Sequence, residues 1–285
     1  MTKSRRWQEI DVTQPLDGLR YEKDGEIAIL TLDRPATGNA VHPGMHASLR
    51  AIWEDVRVDQ SVRAVVVTGA GERHFCTGMD VGGDDVAASS VGNGPLDQEV
   101  LLTARQNRVW KPVVAAVNGT AAGGGLHFVV DADIVVAADH ATFLDTHVNL
   151  GIVGGLENIG LAKRLPIGTA LRMSLQGRDF RLSADRAYQL GLVDELVTDG
   201  TALGVAIEIA RSIAGNSPVA VSRTQEAIWS SLETGYAQAL AYAWSLIRIQ
   251  WGHPDAHEGP RAFGQRRTPQ WNPDPDATVI SHNHR

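Results

Sequence analysis

The sequence predicts an α/β fold with repeated strand–helix crossovers. Three observations lead there. Short apolar runs closed by glycine or asparagine recur along the first half of the chain, and helical patterns fall between and after them. The second half is dominated by amphipathic helices. Composition is that of a water-exposed globular chain of 285 residues, 43% hydrophobic and 21% charged, which is ample for a packed core.

The elements follow in order. EIAILTLDRP (26–35) alternates and meets Pro35, a strand ending in a loop. Met45, Leu49, Ile52, Trp53 and Val56 fall at helical spacing within 43–59. RAVVVTGAG (63–71), PVVAAVNG (112–119) and ADIVVAAD (132–139) are buried strands by their length and continuous apolar character. The small, polar, glycine-rich stretch 81–97 reads as a mobile surface segment or lid. From Leu161 onward helices are expected over GLAKRLPIGTALRMSLQG, SADRAYQLGLVDELV, TALGVAIEIARSIAGNSP and 231–251. The proline-rich end reads as a frayed tail or an arm on a neighbouring subunit.

Bulk properties exclude several classes. A net charge of −7 argues against a general nucleic-acid partner. The single cysteine, Cys76, excludes an intrachain disulfide and a multi-cysteine metal site. The N-terminal MTKSRRWQEI has no apolar segment after it, and no run approaches the ~20 apolar residues of a membrane span. A cytoplasmic protein without membrane contact is expected.

The stretch AAGGGLHF (121–128) carries the chemistry. A buried strand runs into three glycines and then a helical start. Glycine lets another group approach the backbone closely, and the first turn of a helix has free N–H donors. A carbonyl oxygen that becomes negative during reaction would be stabilised there. HFCTGMD (74–80) offers a second loop of the same kind, with Gly78 before Met79. A glycine triplet by itself is ordinarily a tight turn; two such loops after consecutive strands suggest more.

Here the sequence resembles the crotonase (enoyl-CoA hydratase/isomerase) superfamily. The resemblance spans about residues 18–271 and rests on LDRPATGNAV, RAVVVTGAGERHFCTGMDV, KPVVAAVNGTAAGGGLHFVVDADIVVAAD, the ATF…LGIVGG segment, GRDFRLSADRAYQLGLVDELV and the late HPDAHEGPRAFGQRRTPQW, in that order. It implies a crotonase-like spiral of repeated ββα units with a C-terminal helical region. The core would be 18–205, a trimerisation region 206–271, and a flexible tail 272–285. It implies an acyl-CoA thioester substrate, no cofactor beyond that coenzyme A, and a homotrimer or dimer of trimers. By motif the oxyanion-hole donors map to Met79 and Gly124. Asn39, Ala40 and Val41, with Gly78 and Gly123, map to the substrate-binding loops. Arg73, Lys111 and the Arg266–Arg267 pair are candidates for the coenzyme's phosphates.

The pattern breaks where a hydratase carries its two glutamates. This sequence has His127 and His147 instead. A lone histidine on an apolar segment is ordinarily a packed core residue, but histidine is also an acid–base group near neutral pH, and here it occupies both positions. His127, at a helix start, is expected to stay neutral and to serve as water positioner or second base. Asp145 is expected to point the same way as His147 along an extended stretch and to favour its charged form, making His147 the stronger proton carrier. Glu157 reads foremost as a helix-start acid and secondarily as a supporting group. His42 and His46 flank a helix start, and His46 matches a histidine in an unusual branch of the superfamily. His140, His253 and His257 read as surface residues. No compact metal-ligand spacing appears.

Three functions follow. The first is an enzyme of the enoyl-CoA hydratase/isomerase class using histidines for the missing acids. The second is a C–C bond hydrolase of β-dicarbonyl compounds resembling 6-oxocamphor hydrolase, which shares the histidine at position 147. That branch has an aspartate where Leu156 stands here, and it departs from the glycine triplet this chain keeps. The third is a non-catalytic acyl-CoA-binding protein.

Overall fold

A computed structural model describes residues 10–80 and 94–279. Most of the segment read as a lid, 81–93, lies outside the described residues. Strands β1 (Leu19–Asp24) and β2 (Ile27–Leu32) form an antiparallel hairpin. Helix α1 (Pro43–Val58) follows, capped by the His42 side chain, whose Nδ1 accepts from the Gly44 N–H. Then come β3 (Ala64–Gly69), β4 (His74–Cys76) and the single turn α2 (Leu96–Glu99). Next are β5 (Val113–Val117), β6 (Thr120–Ala122), and a 3-10 turn Gly123–Leu126 that runs into one turn of helix, α3 (His127–Val130). Strands β7 (Ile134–Ala138) and β8 (Thr142–Leu144) lead to α4 (Leu156–Arg164) and α5 (Ile167–Gln176), split at Pro166. The rest is β9 (Leu182–Ser183), α6 (Ala184–Leu190), β10 (Glu195–Val197), α7 (Ala202–Ala214), α8 (Pro218–Ser230), α9 (Tyr236–Trp251) and α10 (Asp255–Gly264).

Among the described residues the strands make two sheets. The larger has the order β1-β2-β3-β5-β7-β10, parallel from β2 onward; the smaller has the order β4-β6-β8-β9. Strands β3, β5 and β7 of the first sheet are each followed by a short strand of the second, so the chain winds as a spiral. Strands β2, β3, β5 and β7 are buried on both faces, while the edge strand β1 is largely exposed. One face packs on α1 through Met45, Leu49, Ile52, Trp53 and Val56. The other packs on α7 through Ala202, Ala206 and Ala210, against Ile27, Ala64, Val66, Val114, Ala116 and Val136. Small residues four apart make a flat stripe that brings the helix close to the sheet.

The expected crotonase-like α/β spiral with C-terminal helices is present, with differences in detail. The strands of the smaller sheet are two or three residues long, too short for a hydropathy period to register. A core boundary at 205 would cut through α7, which belongs to the sheet by packing. The last helix of the expected 231–251 segment begins at Tyr236. His253 is buried, not superficial: its Nε2 meets the Asp274 carbonyl at 2.9 Å, and its Nδ1 accepts from the Asp255 N–H. The described part of the tail is docked, not frayed. Asn272 N–H donates to Asp255, Arg223 donates to the Pro275 carbonyl, and Val279 N–H donates to the Gly252 carbonyl. No helix among the described residues is long and apolar enough to cross a membrane.

Candidate active site

Two glycine loops meet at the C-terminal ends of β4 and β6. The first is held by the segment before α1: Thr77 N–H donates to Gly38 O, Val41 N–H to Gly78 O, and Asp80 N–H to Val41 O. Gly78 and Asp80 thus face Val41 across a parallel bridge, so the N–H of Met79 between them points to the opposite side. The Gly123–Gly125 turn lies on that side, with Met79 N 3.6 Å from where a Gly124 Cβ would sit. Gly124 is the second residue of its 3-10 turn, so its N–H has no acceptor within the turn. Gly78 has φ +96°, and a Cβ there would stand 2.9 Å from both Ala122 O and Gly124 N. A Cβ on Gly125 would stand 2.2 Å from the Cys76 carbonyl oxygen. Only glycine at these two positions lets the loops touch.

Asn39 is fully buried with φ +56°. Its Oδ1 accepts from Arg34 N–H, and its Nδ2 donates to the Ala70 and His74 carbonyls. Its side chain is therefore a bracket between loops and offers no atom to a ligand. Ala40 and Val41 are also buried and serve the same loop through their backbones. Gly123, at φ +50°, starts the turn and lies against the His147 ring, whose Cε1 is 3.7 Å from its Cβ position.

Beside the loops lies a cluster that joins His127, Asp145, His147 and Glu157. Glu157 stands in the first turn of α4, as its sequence context suggests, but it is only 4% exposed and reaches between the two histidines. Its Oε2 is 3.3 Å from His127 Nε2 and its Oε1 is 3.1 Å from His147 Nδ1. Asp145 and His147 are not paired by strand alternation: β8 ends at Leu144, and His147 opens a 3-10 turn. The Asp145 Oδ1 accepts from the His147 backbone N–H and meets Nδ1 at 2.5 Å, while Oδ2 accepts from Asn158.

Proton positions follow from these contacts. Gln106 Oε1 accepts from the backbone N–H of Leu102 and Thr103, which fixes its amide orientation. Its Nε2 therefore donates to His127 Nδ1 at 3.0 Å. Neutral His127 carries its proton on Nε2, facing Glu157. Burial, then the charges of His147 and His46, hold the His127 pKa down to about 4. The expected neutral state holds, with burial in place of the helix dipole as its main cause. With Nδ1 occupied and Nε2 protonated, His127 is a donor and not a base.

His147 is the opposite. The hydrogen bond to Asp145 raises its pKa above the ordinary imidazole value; burial opposes this, and the charges of Glu157 and Asp145 add to it. Its Nδ1 proton is aimed at Asp145, so Glu157 Oε1 is buried without a hydrogen-bond partner despite its 3.1 Å approach. Burial raises the pKa of Glu157. Burial also works against ionisation of Asp145, but hydrogen bonds from His147 and Asn158 outweigh it and leave its pKa lowered. The Nε2 of His147 makes no hydrogen bond among the described residues, and the side chain is 22% exposed.

Asp145, His147 and Glu157 also present atoms close enough together to hold a cation. Their short Asp145–His147 contact is a hydrogen bond, however, and a metal would have to displace its proton. Of the candidate phosphate ligands, Lys111 lines a different cavity and donates to the Asp59 carbonyl, and Arg267 makes a two-pronged pair with Glu258. Arg266 has φ +51°, and Arg73 is exposed. His140 and His257 are at the surface, and His46 is half-buried. Sequence reading missed Gln106 and Asn158 entirely; neither carries a spacing signal. Glu157 was visible as an acid ten residues after His147, but its direction was not.

The family described as enoyl-CoA hydratase/isomerase matches residues 22–274. The chain belongs to this family, within the crotonase superfamily. It is 33% identical over 250 residues to the (E)-benzylidenesuccinyl-CoA hydratase of Thauera aromatica, covering 87% of this chain and 96% of that one. It is 33% identical to the carnitinyl-CoA dehydratase of Salmonella arizonae, with 90% and 98% covered. An enoyl-CoA hydratase/isomerase from Mycobacterium paratuberculosis superposes with a TM-score of 0.83 at 39% identity, over 91% of this chain and all of that one. This family member is an acyl-CoA-processing enzyme of lyase or isomerase type.

Proposed function

We propose that the chain adds water to, or shifts the double bond of, an enoyl-CoA thioester, with His147 as its acid–base group. The observation that carries the reading is the free Nε2 of an imidazole oriented by Asp145, beside the paired Met79 and Gly124 loops. In this reading the thioester oxygen accepts from the N–H groups of Met79 and Gly124. A preorganised donor of this kind is worth about 3–4 kcal/mol when charge develops on the oxygen. His147 Nε2 takes a proton from water as the water oxygen bonds to the β-carbon. The double-bond electrons move toward the thioester oxygen, and the imidazolium then gives its proton to the α-carbon. Gly123 brings the loop against the His147 ring; Gly78 lets Met79 approach Gly124. His127 Nε2 stands 3.3 Å from Glu157 Oε2, so that the carboxylate lies between the two histidines. No cofactor beyond the coenzyme A of the substrate enters this chemistry.

A second reading gains from Glu157. The C–C bond hydrolase resemblance lacked an acid at position 156, and the carboxylate one residue later stands against His147. A histidine-activated water attacking a β-dicarbonyl would use the same dyad. The paired N–H groups favour the thioester reading, and an oriented, ionisable cluster is superfluous in a mere acyl-CoA binder. We also infer a homotrimer or dimer of trimers, supported by α9: none of its residues is buried, and Tyr236, Leu240, Trp244 and Trp251 are all exposed.

The test is turnover of a chain-length series of enoyl-CoA esters, followed by loss of the conjugated thioester absorbance, beside β-dicarbonyl cleavage. Hydration or isomerisation that His147→Ala loses supports the first reading. Cleavage of the dicarbonyls alone overturns it in favour of the second. Binding of coenzyme A esters with neither activity returns the third.

A further inference from the structure

The cavity that opens beside His127 has a volume of about 830 Å³, and its walls are unevenly charged. One wall is a single face of α4: Leu156, Ile159, Gly160 and Lys163, spaced as one helical stripe. Gly160 sets this wall, because a Cβ there would stand 2.5 Å from Val130 on α3. The stripe starts beside Glu157, at the acid–base cluster, and ends at Lys163. Seven residues of helix carry it roughly 10 Å away. That is the span of a medium acyl chain or an aromatic spacer.

Arg105, Arg108 and Lys163 line the cavity, against the acids Asp131 and Glu233. Both acids lie against the one Arg105 guanidinium, at 3.7 and 3.4 Å, and it also stacks over Trp229 at 4.1 Å. His127 is neutral. Lys163 gives one hydrogen bond to the Leu232 carbonyl and makes no ion pair among the described residues. The ammonium keeps two donors. The Arg108 side chain makes neither a hydrogen bond nor an ion pair among them. Among the described residues the lining therefore carries three cations against two acids, a net positive charge, and neither Lys163 nor Arg108 pairs with either acid.

We propose that this cavity takes an acyl group whose far end bears a carboxylate, so that the substrate is the monothioester of a dicarboxylic acid, with Lys163 and Arg108 as its counter-ions. The inference rests on the thioester reading above and names its substrate class. Both cations are exposed, so screening moderates the effect.

The experiment compares three enoyl-CoA thioesters of equal length ending in a methyl, a carboxylate or a trimethylammonium group. In the wild-type enzyme the carboxylate ester is expected to exceed the methyl ester about tenfold in kcat/KM, through KM, with the trimethylammonium ester worst. In Lys163→Glu, and further in Lys163→Glu with Arg108→Ala, the carboxylate-to-methyl ratio falls below one. Equal values for the three esters, or a preference that survives the double variant, overturns the inference. Calorimetric binding of the saturated analogues reads the same preference without chemistry. A carboxylate preference in binding without turnover keeps the inference and sinks the hydratase/isomerase reading. Equal binding with turnover sinks the inference alone, and no binding of any ester sinks both.

Discussion

His127 and His147 stand at the two ends of one carboxylate and are driven to opposite states. On one side His127 is enclosed, accepts from Gln106 at Nδ1 and is held neutral, its pKa down to about 4. On the other, His147 is partly exposed and locked to Asp145, and its pKa is raised. The same residue type is therefore held neutral at one end of Glu157 and favoured in its charged form at the other. Neighbours decide this: an amide that can only donate in one case, a carboxylate that can only accept in the other.

The asymmetry is broken most directly by truncation. His147→Ala is expected to lower kcat about 10²–10⁴-fold, the usual worth of a positioned acid–base group, while KM for the thioester moves little. His127→Ala should cost less in kcat and more in melting temperature, because it leaves the Gln106 amide without its buried acceptor and opens a cavity. Equal losses in kcat, read by steady-state kinetics, would mean that the two ends of Glu157 are equivalent after all.

Asp145→Asn sharpens the comparison through pH. If His147 acts as base, activity rises as its proton leaves, and the raised pKa puts this limb of kcat/KM above 6.5, the ordinary imidazole value. Losing the carboxylate should move the limb to lower pH and reduce the plateau about tenfold. A limb that stays in place would show that another group, with Glu157 the first candidate, titrates there.

The smallest effect is on stability. The folded His127 pKa of about 4 lies below the ordinary 6.5, so between these values the unfolded chain binds a proton that the folded chain refuses. Its contribution is complete above pH 6.5 and is lost as pH falls toward 4, at up to about 1.4 kcal/mol per pH unit. His147, with a raised folded pKa, has the reverse sign: its contribution is present below 6.5 and is lost as pH rises through the folded value. Denaturation curves of His127→Asn and His147→Asn between pH 4.5 and 8 should therefore differ from wild type in opposite directions. Parallel curves would contradict the opposed protonation states.

Much of this molecule is legible in the chain itself. The continuous apolar runs at Ala64–Gly69, Val113–Val117 and Ile134–Ala138, and the helical spacing of Met45 through Val56, report burial by period alone. The two glycine loops and the two histidines are visible as motif and as departure from motif. Local patterns can do this because strand and helix periods, turn chemistry and glycine's missing Cβ act within a few residues. What only the tertiary structure decided is which groups converge. Glu157 meets two histidines from different turns of the spiral; Gln106, 21 residues before His127, sets its tautomer; the Asn39 side chain is a bracket between loops. His253 is buried by a tail that reads as loose. The direction of a side chain and its protonation depend on partners distant in sequence and on the water they exclude, and no spacing along the chain encodes either.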